Sequence, residues 1–434
     1  MKLSFATNGS SSPTNAPSDR SFELREGEPS RIAGRLAELS MQVGPEITVA
    51  ARTSYAVTGL FAGVGGLEEG FRRAGHETAM LCEYDEAARY VLAQRFKGAT
   101  LKQDVRRLKT LPAGGILTAG FPCQDLSQVG RRRGIEGPNS GLIDKVLTLL
   151  RKAKQPPRWL LLENVPFMLK LDKGHGIRWL TGQLEEMGFN WAYRTIDALA
   201  FGLPQRRRRV LLLASLQYDP RPALLGEDHS APAKCARDGH ACGFYWTEGN
   251  TGLGWAIDAI PPLKSGSALH IPSPPAIWLP EARAIVTPAI EDAERLQGFP
   301  AGWTDVEGYD PKAKRRRWRM VGNAVSVEMS EWIANRLAMS HPVHDTGELV
   351  ELPEQGGWPS AAWGQPNGPR SRANVSEWPV ERPRQHLAAF LEHPTARLSN
   401  KAAGGFLKRL VASSLRYEVA FRADLEHHIA LHEG

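Results

Sequence analysis

Between Tyr55 and Ser215 the chain repeats a short apolar run, a turn and a segment with helical spacing. The apolar runs include AVTGLF, TAMLC, GILTAG and WLLLEN, and segments such as EAARYVLAQRF and GLIDKVLTLLRKAK lie between them. Strands that are buried on both faces read as continuous apolar runs, and parallel neighbours are joined by crossover helices. The alternation therefore predicts an α/β fold, a doubly wound and mostly parallel sheet with helices on both faces.

The alternation stops near Leu216, and the other segments differ in composition. Residues 1–28 are rich in Ser, Pro, Asn and Gly, which predicts disorder, and a short amphipathic helix is predicted from Ser30. Residues 217–290 show no sustained period, and RWRMVGNAVSVEMSEWIANRL predicts a loop that leads into a long helix. The Pro-, Gly- and Trp-rich stretch 341–383 predicts a linker before helices in RPRQHLAAFLEH, SNKAAGGFLKRLVASSL and EVAFRADLEHHIALH.

Three features at predicted strand ends favour an adenosine-containing cofactor. The first strand leads into the glycine-rich turn of LFAGVGGLEEG, which lets a ligand approach the backbone. Glu83 ends the next strand, where a carboxylate suits ribose hydroxyls, and Asp104 is placed to accept from an adenine amino group. The alternative is that both acidic residues only cap their strands.

Cys123 and Glu163 follow two further predicted strands. Both are therefore expected at the carboxyl edge of the sheet, where parallel α/β proteins carry their sites. Arginines follow Cys123 closely, and nearby positive charge lowers the pKa of a thiol. A thiolate nucleophile with a carboxylic partner forms an acid–base pair, whereas the alternative for Cys123 is a buried and inert cysteine.

The net charge of +7 is clustered, in arginine runs at 131–133, 206–209 and 315–317. Such runs suit a phosphate backbone, although each one alone also fits a solvated surface. Four cysteines in 434 residues do not make a disulfide framework. The N-terminus has no apolar signal-peptide core, and no run is long enough to cross a bilayer, so we expect a cytoplasmic protein without membrane contact.

Eight motifs in a fixed order make the chain resemble the bacterial DNA cytosine-5 methyltransferases. They are LFAGVGG, CEYD, QDV, GFPCQDLS, ENV, QRRRR, RLQGFP and GNAV, within residues 58 to about 335. The resemblance implies a Rossmann-like fold that binds S-adenosyl-L-methionine, and methyl transfer to carbon 5 of a cytosine flipped out of duplex DNA. One position departs from the family: Gly59 stands where many members have Asp, with a minor effect expected on cofactor affinity.

The resemblance also implies the catalytic roles. Cys123 attacks carbon 6 of the cytosine, and Glu163 holds or protonates the ring at N3. Arg207 and Arg209 match two active-site arginines, one of which holds the cytosine carbonyl or the Glu163 carboxylate. Arg206 and Arg208, which alternate with them on a strand, are expected to face elsewhere.

The remaining site residues that the resemblance implies fall into two groups. The cofactor-binding group is Phe61, Ala62, Gly63, Val64, Gly65, Gly66, Glu83, Tyr84, Asp104, Val105, Gly120, Pro122, Leu142, Asn323 and Ala324. The DNA-binding group is Gln124, Ser127, Arg131, Arg132 and Arg133, on a mobile loop over 124–141, and Lys234, Arg237 and Thr247 in the recognition region.

The predicted organisation has five segments. They are an N-terminal, partly disordered extension (1–52), the catalytic domain (53–216), a target-recognition region (217–300), the C-terminal part of the catalytic domain (301–340), and a linker with a helical extension (341–434). We expect a monomer in the bacterial cytoplasm, associated with the nucleoid, whose partners are double-stranded DNA and other proteins of a defence system. No metal is expected: His229, Cys235, His240 and Cys242 are zinc-ligand types, but their spacing fits no standard finger.

Other functions stay open at this point. A transfer-RNA cytosine-5 methyltransferase shares the Cys and Glu motifs, although its Cys-Phe-Thr signature is not found here. A catalytically inactive DNA-binding scaffold would not need the complete set of Cys123, Glu163 and both arginines, and a nucleotide-dependent oxidoreductase has no use for it. The biological setting is restriction–modification, a phage-defence system such as DISARM, or an orphan regulatory enzyme.

Overall fold

The computed structural model describes most of the chain beyond residue 52. The described residues are 53–122, 141–231, 239–248, 250, 252–266, 272–305, 313–338 and 350–431, without the side chains of 313–315. All of them belong to Arg52–Gly434, one of the two units into which the chain divides. The helix predicted from Ser30 lies outside the described residues.

The strands of this unit form two sheets. In chain order they are β1 (Ala56–Leu60), β2 (Glu77–Cys82), β3 (Thr100–Lys102), β4 (Ile116–Gly120), β5 (Trp159–Asn164), β6 (Asn190–Asp197), β7 (Arg208–Ser215), β8 (Cys242–Phe244), β9 (Ala256–Ile257), β10 (Ala276–Leu279), β11 (Ala284–Thr287), β12 (Val350–Glu351), β13 (Ala361–Gly364), β14 (Arg370–Arg372) and β15 (Ala396–Arg397). The large sheet has the order β12-β14-β13-β6-β7-β5-β4-β1-β2-β3, and the small sheet has the order β15-β11-β10-β8-β9.

The helices lie between these strands. They are α1 (Gly66–Arg73), α2 (Glu86–Arg95), α3 (Leu142–Lys152), α4 (His175–Glu186), α5 (Arg221–Leu225), α6 (Ile290–Leu296), α7 (Ala313–Asn323), α8 (Val327–Leu337), α9 (Leu387–Phe390), α10 (Asn400–Ala412) and α11 (Val419–Ala430). Short 3-10 turns occur at Val105–Arg107, Pro166–Leu169, Leu171–Gly174 and Ala198–Phe201. Among the described helices, none combines the length and the apolar character that a membrane crossing requires.

The predicted α/β fold is confirmed, and the parallel strands form the half of the large sheet that ends at the site. Strands β3, β2, β1, β4 and β5 are parallel neighbours, whereas β7 runs antiparallel between β5 and β6. Along β5, Leu160 and Leu162 join the core under α3 and α4, while Leu161 joins the core under α1 and α8. Successive strand side chains point to opposite faces, so both faces are covered by helices.

Helices α1 and α8 pack closely enough to bring the two ends of the motif series together. A Cβ atom on Gly66 would lie only 2.4 Å from the Val325 carbonyl oxygen, so the approach requires glycine. Ser330 Oγ of α8 also donates to the Leu67 carbonyl at 2.5 Å. The GVGG turn and the GNAV segment are neighbours for this reason.

The loop predicted before the long helix is wrong, because residues 313–323 form helix α7. Within α7, Arg317 is buried and paired. It contacts Glu294 at 3.0 Å and Glu291 at 3.2 Å. Most residues of α7 are Ala, Lys, Arg and Met, which are good helix formers, and these ion pairs fix the helix against α6.

The C-terminal residues contribute to both sheets, where the sequence predicted only a linker and helices. Strand β13 pairs with β6 and extends the large sheet, and β15 pairs with β11 in the small sheet. Of the three predicted helices, α10 and α11 are confirmed, whereas RPRQHLAAFLEH forms only the four-residue α9. The missed strands have two to four residues, and strands this short are formed through tertiary pairing rather than through a sequence period.

Candidate active site

A cavity of about 1000 Å³ opens at the carboxyl ends of β1, β2, β4 and β5. Most of the predicted site residues in the described part of the chain line it: Phe61, Gly63, Val64, Glu83, Tyr84, Asp104, Val105, Gly120, Pro122, Leu142, Glu163, Arg207, Arg209 and Asn323. Ala62, Gly65, Gly66 and Ala324 belong to the same turns without lining it. Sequence reasoning missed other lining residues: Cys82, Asp85, Glu86, Ala88, Arg106, Phe121, Asn164, Val165, Arg319, Met320 and Gly322.

Glu83 connects the glycine-rich turn to the end of β2. Its carboxylate accepts from the Gly63 amide at 2.7 Å and from the Asp85 amide at 2.7 Å. Burial raises the pKa of Glu83, and these backbone hydrogen bonds oppose the rise. The turn and the carboxylate are therefore held in one fixed arrangement.

Asp104 and Tyr84 form a second polar part of the cavity wall, joined through Arg106. The Asp104 carboxylate accepts from Arg106 Nη2 at 2.9 Å, and this hydrogen bond lowers the pKa of Asp104. The Arg106 guanidinium lies 5.4 Å from the centre of the Tyr84 ring, which is 68% exposed. This part of the wall thus offers an ionised acceptor beside an exposed aromatic face.

Glu163 and Arg209 form an ion pair at the other end of the cavity. Arg209 Nε donates to Glu163 Oε1 at 2.8 Å, with both side chains largely buried. Asn164 fixes the strand end, because its Nδ2 donates to the Phe121 carbonyl at 3.0 Å and thereby ties β5 to the residue after β4. Pro122, the last described residue before Cys123, lines the same cavity.

Arg207 and Arg209 line the cavity, whereas Arg206 and Arg208, which alternate with them along the chain, are exposed. The prediction that Arg206 and Arg208 face elsewhere is confirmed, and Arg208 pairs with Glu377. Arg207 is fully buried and donates to the carbonyl oxygens of Leu263 at 3.2 Å and Ala324 at 2.6 Å. Its guanidinium therefore holds backbone segments, whereas Arg209 holds the Glu163 carboxylate.

At Gly59, where many family members have Asp, the space next to the backbone is occupied by the side chain of Glu68. A Cβ atom on residue 59 would lie 2.2 Å from Glu68 Oε1, and that oxygen accepts from Thr118 Oγ1 at 2.7 Å. Glu68 thus brings a carboxyl group into the space that a side chain at position 59 would take. Burial raises the pKa of Glu68 to about 7.

Glu68→Gln is expected to make unfolding less sensitive to pH. The folded protein prefers the neutral carboxyl, so the contribution of Glu68 to stability is present below pH 4.5 and is lost as the pH rises to about 7. The loss amounts to roughly 3 kcal/mol over that window. The denaturant midpoint of the variant should therefore rise relative to that of the unsubstituted protein as the pH increases from 5 to 8.

The matched control is Glu77→Gln, which removes an exposed carboxylate at the start of β2. Glu328, whose pKa burial also raises to about 7, titrates in both proteins and cancels from the comparison. Equal pH dependence in Glu68→Gln and Glu77→Gln would contradict the assignment.

The predicted DNA-contacting residues fall mostly outside the described residues. Cys123, Gln124, Ser127, Arg131, Arg132, Arg133, Lys234 and Arg237 all lie there. Thr247 is described, and it is exposed in the turn after β8 of the small sheet.

The predicted zinc-ligand types do not form one set among the described residues. The Cys242 thiol donates to the His240 carbonyl at 3.5 Å, and Cys235 lies outside the described part. The ligand atoms of His240, Asp258 and His386 do lie within 4.8 Å of one another. The Asp258 carboxylate already pairs with Arg384 and His386 and accepts from the Leu387 amide at 2.8 Å, so we assign no metal to this cluster.

Comparison with known proteins shows the family to which the chain belongs. The family model of the C-5 cytosine-specific DNA methylases matches residues 55–234. The chain is 45% identical over 384 residues to the Type II methyltransferase M2.BsuMI of Bacillus subtilis (strain 168), covering 85% of this chain and 97% of that protein. The chain therefore belongs to the C-5 cytosine-specific DNA methylase family, and its reaction is methylation of DNA at carbon 5 of cytosine.

Two further proteins are similar over part of the chain. The Type II methyltransferase M.MspI of Moraxella sp is 33% identical over 176 residues, which is 39% of this chain and 42% of that protein. The crystal structure of the S. pombe Dnmt2 methyltransferase superposes with a TM-score of 0.46 at 17% identity, covering 65% of this chain and 98% of that one.

Proposed function

We propose that this enzyme takes its methyl group from S-adenosyl-L-methionine and serves as the modification enzyme of a restriction–modification system. The observation that carries the chemistry is the Glu163–Arg209 ion pair, which shares one cavity with Glu83 and the glycine-rich turn. The modification role is supported by the name of Type II methyltransferase, which the Bacillus subtilis and Moraxella relatives carry.

The cavity residues fit S-adenosyl-L-methionine in their hydrogen-bonding capacity. A carboxylate has about four acceptor positions, and two backbone amides use two of those of Glu83, so two are left for ribose hydroxyls. The Asp104 carboxylate, kept ionised by Arg106, would accept from the adenine amino group, and the exposed Tyr84 ring would offer an aromatic face to the adenine. When bound, this cofactor supplies an electrophilic methyl group.

Glu163 and Cys123 act on the cytosine. The Glu163 carboxyl hydrogen-bonds the ring at N3, and Arg209 keeps that carboxyl in place in surroundings where charge is weakly screened. The Cys123 thiolate would bond to carbon 6, and carbon 5 would then carry the electron pair that takes the methyl group, while the electrons of the broken sulfur–methyl bond stay with the departing thioether. A base such as solvent water would take the carbon 5 proton, and the electrons of that C–H bond would expel the thiolate and restore the ring.

The substrate base comes from duplex DNA, so it must leave the stack before it reaches Cys123. We propose that residues 124–141 close over the extruded base and that Thr247 faces the flanking duplex. We assign Gln124, Ser127 and the arginines at 131–133 to phosphates, as the resemblance implies. The family membership favours this DNA reaction over transfer RNA, and the complete set of reactive residue types favours an active enzyme over a scaffold.

Glu83→Ala is expected to weaken the binding of S-adenosyl-L-methionine by about 10-fold to 100-fold. The variant loses two ribose hydrogen bonds to a charged acceptor, worth roughly 1.5–3 kcal/mol together. Isothermal titration calorimetry measures the effect, with Glu77→Ala as a control that removes an exposed carboxylate from the same strand. An unchanged affinity for S-adenosyl-L-methionine in a folded Glu83→Ala protein would contradict the assignment of Glu83 to the cofactor site.

The modification role requires that methylation be sequence-specific. Methylated cytosines in plasmid DNA from a host that expresses the chain should recur within one short duplex sequence, which bisulfite sequencing detects. Methylation scattered over unrelated sequences would contradict a restriction–modification role while leaving the chemistry intact.

A further inference from the structure

The recognition region is completed by the C-terminal residues. Strand β15 pairs with β11 through Val286 opposite Arg397, and helices α10 and α11 cover the small sheet. Phe244 of β8 packs against Phe406 of α10 and Phe421 of α11, with ring centres 5.1 and 5.0 Å apart. The small sheet therefore shares its hydrophobic core with a segment that follows it by more than a hundred residues.

The same segments are joined at the surface of the core by a polar cluster. Asp424 of α11 accepts from Trp278 Nε1 of β10 at 3.0 Å and from Arg283 Nε at 2.8 Å. The similarity to M2.BsuMI extends over 85% of this chain, which is more of the 434 residues than the segment 1–340 contains. The likeness to that relative thus extends into the C-terminal part.

Arg409 of α10 holds the turn that follows β8, Trp246–Glu248, which we call the recognition turn. Its guanidinium donates to the Trp246 carbonyl at 2.7 Å and to the Glu248 carbonyl at 3.1 Å. Trp246 Nε1 donates in turn to the Pro274 carbonyl at 2.9 Å. The recognition turn is therefore fixed from two sides, and Thr247 at its centre is exposed.

The recognition turn is connected to Arg207 through a short series of contacts. Tyr245, which immediately precedes the turn, donates from its hydroxyl to the Pro262 carbonyl at 2.6 Å. Lys264 Nζ lies 3.5 Å from the centre of the Tyr245 ring and pairs with Glu248. The neighbouring Leu263 carbonyl accepts from Arg207 at 3.2 Å. A continuous set of contacts thus leads from α10 to the active site.

We propose that Arg409 is a positioning residue for target recognition, which fixes the recognition turn as the surface that meets the duplex beside the extruded cytosine. The inference rests on the proposed DNA reaction, because the cavity beside this turn must receive a base from a duplex. Two hydrogen bonds from one planar guanidinium fix the direction of the turn, and an alanine leaves both carbonyls without that donor. The C-terminal segment then acts in DNA recognition through the turn rather than through direct contact.

Arg409→Ala is expected to raise KM for target duplex DNA about 10-fold and to reduce discrimination against a duplex with one changed base pair by a similar factor, since a lost base-pair contact has about this effect. The Kd for S-adenosyl-L-methionine and kcat at saturating DNA should stay unchanged. Arg409→Lys, which keeps the charge but not the planar pair of donors, should recover part of the discrimination.

The matched control is Lys408→Ala, which removes one positive charge from the exposed neighbour on the same helix. Equal rises in KM for Lys408→Ala and Arg409→Ala would show a charge effect alone and would overturn the proposal. Thr247→Ala tests the surface of the turn without touching its support, and its KM for duplex DNA should also rise. An unchanged KM and unchanged discrimination in folded Arg409→Ala would overturn it as well, whatever the result for Thr247→Ala.

The unsubstituted protein separates this inference from the function on which it rests. If it methylates duplex DNA and Arg409→Ala methylates the same DNA equally well and as selectively, only the positioning role fails. If the unsubstituted protein does not methylate duplex DNA, the proposed function itself fails.

Discussion

Replacing Cys123 by serine is expected to abolish methyl transfer, with a loss of at least about 10³-fold. A serine hydroxyl stays protonated at neutral pH, whereas a thiol in electropositive surroundings supplies a thiolate. The proposed polar contacts to the cofactor come from Glu83 and Asp104, which follow β2 and β3, so the Kd for S-adenosyl-L-methionine should change little. Transfer of a tritiated methyl group to duplex DNA measures the first effect, and calorimetry measures the second.

Cys82 provides the control for this substitution, because it is a thiol that lines the described cavity. Burial raises the pKa of Cys82 to about 12, so it remains a thiol and is not a nucleophile. Cys82→Ala should keep most of its activity. Near-normal turnover in Cys123→Ser, or loss of activity only in Cys82→Ala, would contradict the assignment of the nucleophile.

Glu163→Gln is the second substitution with a large expected effect, a fall in kcat of roughly 10²- to 10⁴-fold. Glutamine keeps the shape of the side chain but carries no charge and no acidic proton for N3, and it weakens the contact with Arg209. Because Glu163 lies away from Glu83 and Asp104 in the proposed arrangement, KM for S-adenosyl-L-methionine should stay nearly constant. Steady-state kinetics with saturating duplex DNA separates the two quantities.

Arg209→Ala should follow Glu163→Gln in direction, since it removes the partner that holds the carboxyl. The control is Arg208→Ala, the adjacent arginine, which pairs with Glu377 on the other side of the strand. If Arg208→Ala lowered kcat as much as Arg209→Ala, the effect would come from the charge of the run rather than from the ion pair.

The parallel half of the large sheet could be predicted, because each of its buried strands is visible as a short run of neighbouring apolar residues. Buried strands such as β4 and β5 are continuous apolar runs, and each ends in the residues that line the cavity, Gly120 and Glu163 among them. The carboxyl ends of parallel strands share one edge, so residues that are far apart in sequence could be placed together. The site was accessible to sequence reasoning for this reason.

The small sheet could not be predicted, because its strands have two to four residues and no period of their own. They exist through pairing with one another and through the aromatic core that α10 and α11 complete. The relation between Gly59 and Glu68 could not be predicted either. The two residues are nine positions apart, and only the packing shows that the Glu68 carboxyl takes the space of a side chain at position 59. Likewise, nothing in the sequence around Arg207 indicates that its guanidinium donates to backbone carbonyls.

The most direct test of the account is transfer of a tritiated methyl group from S-adenosyl-L-methionine to duplex DNA and to transfer RNA, side by side, with bisulfite sequencing of the DNA product. We expect label in the duplex alone, at cytosines that recur within one sequence. Label in transfer RNA without label in duplex DNA would contradict the proposed substrate and the positioning role of the recognition turn with it.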